Sequence, residues 1–586
     1  LEASDNGTIN MSGGALASNC GILAEDQSTI SISTAVAAPG ISAEGGGTVS
    51  MSAGGTCGGI DCDSTEGAST VTTNNVAIAG DVTLVGGGDG GTVGITGGSI
   101  GGNVTLEDGG TVNIIGGSVG GNISSSDSQT TAVGTINLSN VNVTGSLSAE
   151  NSTVSLDSGT SIAGAVQVIA QSNLTTSATL SGGLLGSDSS IVINGGVVSG
   201  GLNLIGVSTL AVNGGTINPN SSGIALMSQD SSAALLLGGT LLGQVQAQAS
   251  STVNISGATV GSAAAFGSST LILDSGQITG FVQGSASSTV TINGGAVGGE
   301  LNANNSASVT INRGSVAGNV QISNAAQLTM NGGSLSGGAN SFNTSQVNLL
   351  GGSVSGNVAA QDNSTLRIGG TAFVVDAAVD AYNSSVIDIG AAGPPTIDAN
   401  VTAHNSSMIA IDAGNIFGNV TGMDSSTIFI APGAMISGTV TATGKSMLQY
   451  GLVVTPTPPP PPPGGDGDGD DAIVRLTDLS LAPADDSPNI TQIFLEDQAT
   501  LQIDGLTFNA GLLDPMNDNG MFSEYQLSGT FADGTSLPSG LELFVENGSG
   551  ASFDFVQVPV PEPAMGGLLI IGGGILALRR PSGRTR

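Results

Sequence analysis

Tryptophan is absent from the 586 residues, histidine occurs once, and aromatic residues make up only 3% of the chain. Charge is equally scarce, at 9%, and lopsided: 8 Lys and Arg stand against 44 Asp and Glu, a formal net charge of −36. This shortage of long side chains argues against an ordinary helical enzyme. Four of the eight basic residues, Arg579, Arg580, Arg584 and Arg586, crowd the carboxyl end, leaving Arg313, Arg367, Lys445 and Arg475 upstream. No basic face can be assembled from these to displace phosphate counterions, so a nucleic-acid partner is excluded. Neither a phosphate-binding Walker loop nor a nucleophile elbow is present, and Gly-rich strings such as Gly86-Gly87-Gly88 read as turns. Disorder is disfavoured as well. Disordered chains combine many charges with low hydrophobicity, whereas here the hydrophobic fraction is 39% and the polarity comes from Ser, Thr, Asn and 96 Gly.

What the chain has in abundance is a period. A β-branched or aliphatic pair spaced i, i+2, preceded by Ser or Thr and followed by a glycine turn, recurs as Thr111-Val112-Asn113-Ile114, Thr252-Val253-Asn254-Ile255, Thr289-Val290-Thr291-Ile292 and Thr427-Ile428-Phe429-Ile430. Its first apolar member falls at 253, 271, 290, 309, 328, 347 and 366, in steps of 18, 19, 19, 19, 19 and 19. The register extends back through 210, 154, 136, 112, 93, 71, 49 and 30 to Ile9, and forward through Ile387, Ile409 and Ile428 to Leu448. This gives about 23 units of about 20 residues each. Between Thr289 and Ala307 one unit reads as three short strands separated by Asn293-Gly294-Gly295, Gly298-Gly299 and a polar Asn304-Asn305-Ser306 corner. Alternation turns one side of each strand inward, and Asn-Gly supplies the positive backbone angles of sharp corners. The closure implied is an all-β fold, a triangular parallel β-helix whose coils pair at ~4.8 Å and whose rod is on the order of 105 Å long. About five small apolar side chains per coil cannot offset the backbone entropy of about 20 residues, so the coils stand only as a stack. The corners Asn151-Ser152, Asp188-Ser189, Asn383-Ser384, Asn405-Ser406 and Asp424-Ser425 fit stacked polar ladders better than glycosylation sequons.

In period and pattern, residues 1–454 resemble the 19-residue coils of filamentous haemagglutinin and the passengers of autotransporter adhesins. The resemblance implies a right-handed β-helix on a cell surface and carries over no catalytic residue.

Composition changes abruptly over 455–471, where six prolines from Pro458 to Pro463 make an extended spacer and an Asp/Gly run follows. Asp466, Asp468 and Asp470 have the alternate spacing of a calcium loop, but Asp471 stands where the loop needs Gly and Thr477 where it needs Glu. A solvated acidic linker is the preferred reading, with Ca²⁺ as the weaker one. Residues 472–558 alternate like strands, with an Asp-Gly turn expected at Asp504-Gly505, and form either a small β-rich domain or terminal coils capping the rod.

At 559–586, Pro561-Glu562-Pro563 precedes a short apolar run from Ala564 to Leu578, read as a helix, and then Arg579-Arg580. Fifteen helical residues reach ~22 Å, short of the ~30 Å hydrocarbon core, and the basic end belongs on the cytoplasmic side. This arrangement closely resembles the PEP-CTERM sorting signal. The resemblance implies export, processing by a membrane exosortase and an association with extracellular polysaccharide. An exported chain needs an amino-terminal secretion signal, yet Ile9 already lies in a coil; the expectation is a truncated sequence or one that starts after a cleaved leader.

Cys57 and Cys62 lie within one lengthened coil, and an oxidising exterior would close them as a disulfide, leaving Cys20 unpaired. β-Helices also carry polysaccharide lyases and hydrolases, which need paired carboxylates or cations and aromatic surfaces. The one place offering these is the lengthened pair of coils from Leu366 to Ile409. There Asp376 and Asp398 fall at offsets ten and eleven from their coil starts, and Tyr382 and His404 at sixteen and seventeen. The two pairs are candidate stacked neighbours for acid/base chemistry. The competing reading makes them solvated loop and corner residues, with Arg367 outward and Arg313 in a turn. The preferred expectation is therefore a non-enzymatic, exported, structural or adhesin-like rod. The alternative is a β-helical glycan-degrading enzyme with its site in the 366–409 coils.

Overall fold

The computed structural model describes residues 1–450, apart from 14, 15, 17–19, 53, 87–89, 127–132 and 376, together with 473–476, 492–495, 500–517, 522–531, 541–546 and 552–557. Within these residues the chain is a parallel β-solenoid with no helix. One coil shows how the sequence builds it. Thr289–Ile292, Ala296–Val297 and Leu301–Ala303 form three faces, with Val290, Ile292, Val297, Leu301 and Ala303 turned inward and each at most 1% exposed. Each strand pairs in parallel with its counterpart one coil on: Ser308–Ile311, Ser315–Val316 and Val320–Ile322. The inward positions thereby become columns. Val253, Leu271, Val290, Val309, Leu328, Val347 and Leu366 form one of them, fully buried, and the 19-residue step is the contour of one turn of the prism.

From Ile9 to Leu448 this column has 23 members. Leu174, Ile191 and Ala234 belong to it as well, filling the gaps that the sequence pattern leaves between 154 and 253.

The corner between the first and second faces is set by glycine. Gly295, Gly314, Gly333 and Gly352 stand one coil apart at φ of +74°, +89°, +89° and +85°. A Cβ on Gly314 would lie 2.6 Å from the carbonyl oxygen of Gly295. Arg313 takes the preceding position, where φ is not positive.

Beyond the spacer, Ile473–Leu476 pairs with Met447–Tyr450 and Gln492–Leu495 with Val440–Ala442, both in parallel. Thr500–Asn517, Leu541–Glu546 and Ser552–Gln557 add further parallel steps to the same ladders. The strand Phe522–Phe531 is the exception, pairing antiparallel with Thr500–Asn517 and Leu541–Glu546. Asp504-Gly505 is no turn. It lies inside the strand Thr500–Asn517, opposite Val556 and Gln557, because the ladder continues through it. The spacer with Asp466, Asp468 and Asp470, and the tail with Pro561, Glu562, Pro563, the apolar run, Arg579 and Arg580, lie outside the described residues.

Candidate functional site

The coils starting at Leu366 and Ile387 run to 21 and 22 residues, against 19 for the coil before them, and in the second of them six residues, 390–395, connect the first-face strand to the second-face strand Thr396–Asp398 where the coil starting at Val290 uses three. The third face keeps its regular geometry. Val379–Ala381 pairs with Val401–Ala403, placing Asp380 outward between Ala359 of the coil before and Thr402 of the coil after. The next residues are Tyr382 and His404, whose amides donate to Ala360 and Ala381 at 2.9 and 2.8 Å. Held one coil apart, the two rings stack with centroids 4.4 Å apart and planes 7° from parallel. The neighbour relation expected for Tyr382 and His404 is therefore present.

The sequence reading missed Asp380, the group these rings share. His404 Nε2 lies 3.8 Å from Asp380 Oδ1. Burial raises the Asp380 pKa above the ordinary carboxylate value, against the opposing pull of His404, Thr402 and Tyr382. Burial, reinforced by the Asp380 charge, likewise raises the Tyr382 hydroxyl. Counting back two residues from Tyr382 along an alternating strand would have found Asp380.

Asp398 sits elsewhere. It is exposed on the second face, its backbone opposite Val375, and Asp376 lies outside the described residues. With Asn357, Ala377, Ala378, Ala399, Asn400 and Gly418 it lines a shallow corner groove of about 400 Å³, and Asp380, Tyr382 and His404 are not part of that groove.

A second charged group occupies the first face of the same coils. Arg367 is outward, as expected, and its Nε lies 3.6 Å from Asp388 Oδ2. Burial first, then the nearby Asp412 charge, raises the Asp388 pKa, and Arg367 opposes them. Asp388 Oδ1 is buried and accepts no hydrogen bond. Burial raises Asp412 too. The signal was in the register: Arg367 and Asp388 each directly follow the first apolar residue of their coil.

Cys57 and Cys62 correct the expected disulfide, since both thiols are free in the structure. Gly55–Cys57 belongs to the second face and Ile60–Asp63 to the third, so each sulfur takes an inward place in its own core column. Cys57 stacks between Ala38 and Ile78, and Cys62 between Ala43 and Leu84. Burial pushes the two thiols up to about 11 and about 12, so they behave as small hydrophobes. Among the described residues no three His, Cys, Asp or Glu side chains gather as a metal cluster.

The architecture defines the chain as a parallel β-solenoid built of about 19-residue coils. Comparison with protein-family models, with curated proteins and with solved structures returns no match.

Proposed function

We propose that this protein is an exported, non-enzymatic rod of the cell surface or extracellular matrix, adhesin-like, that contacts polysaccharide along its length. Delivery would follow exosortase-type processing of the tail at Pro561-Glu562-Pro563, with the apolar run as a membrane anchor before cleavage. The observation that carries this reading is a surface ladder. Gln283, Asn302, Gln321 and Asn340 stand outward on the third face in four successive coils, each directly in register with the next. Amides can donate to and accept from sugar hydroxyls, and a row repeating at ~4.8 Å on a flat sheet suits extended, individually weak contacts. The described grooves of this rod are shallow and open, unlike the enclosed pockets that hold small substrates.

The test is co-sedimentation of the intact protein with exopolysaccharide from its own cells, followed by sizing of the polysaccharide. The rod should pellet with the glycan and leave its chain length unchanged. Replacing Gln283, Asn302, Gln321 and Asn340 together by Ala should weaken retention. Shortened glycan would favour the enzyme reading, and absence of retention would remove the polysaccharide contact.

A further inference from the structure

The two lengthened coils hold ionisable groups in an arrangement unlike the rest of the described rod. On the third face, Asp380 is half-buried beside the stacked rings of Tyr382 and His404, with the Thr402 hydroxyl on its other side. The coil before offers it only Ala359. On the first face, Asp388 faces Arg367 from the coil before, and the nearby charge of Asp412, in the paired strand Met408–Ile416 of the coil after, bears on it as well. Asp388 Oδ1 is sealed from solvent without a donor. An ionised oxygen buried without a hydrogen bond is costly, and a neutral carboxyl removes most of that cost.

We propose that the strands Val379–Ala381, Val386–Ile389, Val401–Ala403 and Met408–Ile416 form an acid-tightened joint in the rod, in which Asp380 and Asp388 take up protons on mild acidification and the coil steps they bridge become harder to open. The sign follows from linkage. A carboxyl whose folded-state pKa lies above its unfolded value binds its proton more tightly in the folded chain. Its stabilising contribution is full below the unfolded value and is lost as the pH rises through the folded one. Both Asp380 and Asp388 are shifted in that direction. Opening of these coils therefore becomes rarer as the pH falls from about 7 towards about 4.

Hydrogen exchange of the intact protein, corrected for intrinsic rates, reads this directly. Protection in Val379–Ala381, Val401–Ala403, Val386–Ile389 and Met408–Ile416 should rise by at least about threefold over that range relative to the coils between Thr289 and Ile322. Asp380→Asn should give the third-face strands their acid-level protection already at neutral pH and flatten their profile, and Asp388→Asn should do the same on the first face. His404→Gln and Arg367→Gln each remove a charge that opposes the shift, so the rise on the corresponding face should move to higher pH. Profiles that are flat in the native protein, or that survive both Asn variants unchanged, would overturn the proposal. If an Asn variant fails to fold, the direction of movement in His404→Gln and Arg367→Gln decides it: a fixed midpoint in both contradicts the joint.

Discussion

Ser385 donates its buried hydroxyl to the carbonyl oxygen of Ala360 in the coil before, at 2.9 Å. The Ser385 hydroxyl oxygen in turn accepts the amide of Tyr382 at 3.1 Å, so one side chain ties the end of a strand to its own corner and to the neighbouring coil. Ser345, Ser364 and Ser407 repeat the contact with Ile322, Ser341 and Ala381. Two residues earlier in each corner stands Asn343, Asp362, Asn383 or Asn405, all at φ near +60°. The apparent Asn-x-Ser sequons at Asn383 and Asn405 thus arise from two structural demands, a left-handed corner and a buried hydroxyl two residues on. Replacing Ser385 by Ala strands the amide of Tyr382 no further than its backbone bond to Ala360, so the cost should be about 1 kcal/mol in urea unfolding. Ala307 already occupies this column, fully buried, and Ala307→Ser should be neutral or mildly stabilising.

The second glycine of each Asn-Gly-Gly corner should be far less replaceable than the first. Gly333 sits at φ +89°, and a Cβ would meet the Gly314 carbonyl oxygen at 2.6 Å. Gly333→Ala should cost about 1–3 kcal/mol by urea midpoint. Gly332→Arg, which copies Arg313, should cost less.

Leu328 lies fully buried between Val309 and Val347, while Thr310 points outward from the adjoining strand. Truncating Leu328 to Ala should destabilise by about 2–5 kcal/mol, because packed neighbours on both sides cannot collapse into the void. Thr310→Ala should stay within about 0.5 kcal/mol. Denaturant titration of both variants separates a columnar core from a loosely stacked one.

Asp157 should respond to acid in the opposite direction from Asp380. Hydrogen bonds from the Ser139 hydroxyl, the Asn140 amide, the Thr160 hydroxyl and the Gly159 amide hold its carboxyl at about 2. A depressed pKa contributes stability that is present above the unfolded value and is lost as the pH falls through the folded one, here from about 4 to about 2. Protection of the Gly134–Ser139 strand should therefore fall over that interval, and Asp157→Asn should show less protection at neutral pH with a flatter acid limb.

The fold was legible because a parallel stack repeats its inward positions at a fixed contour length, so seven apolar residues in steps of 18 and 19 already define a ladder. Leu174 escaped because Asn173 stands where the pattern has Ser or Thr, and Ala234 because its side chain is too small to register as an aliphatic pair. The stack of Tyr382 on His404 was readable from matching offsets. The pairing of Asp376 with Asp398 rested on the same counting, but the backbone opposite Asp398 is Val375, because the first corner takes six residues, 390–395, in the second coil and four, 369–372, in the first. Asp380 and Asp388 were passed over because an outward position on a strand reads as solvated, and only the packed structure shows how far neighbouring coils cover them. The disulfide expectation failed on direction: both cysteines are inward, and each belongs to the column of its own face.

The most direct test of a surface-exposed rod uses Lys445, the sole lysine of the chain, which is exposed beside the last corner before the spacer. Intact native cells are treated with a membrane-impermeant amine reagent, and the peptide carrying Lys445 is weighed before and after lysis. Labelling in intact cells equal to that in lysed cells is the result predicted for an exported rod. Labelling that appears only after lysis would contradict it.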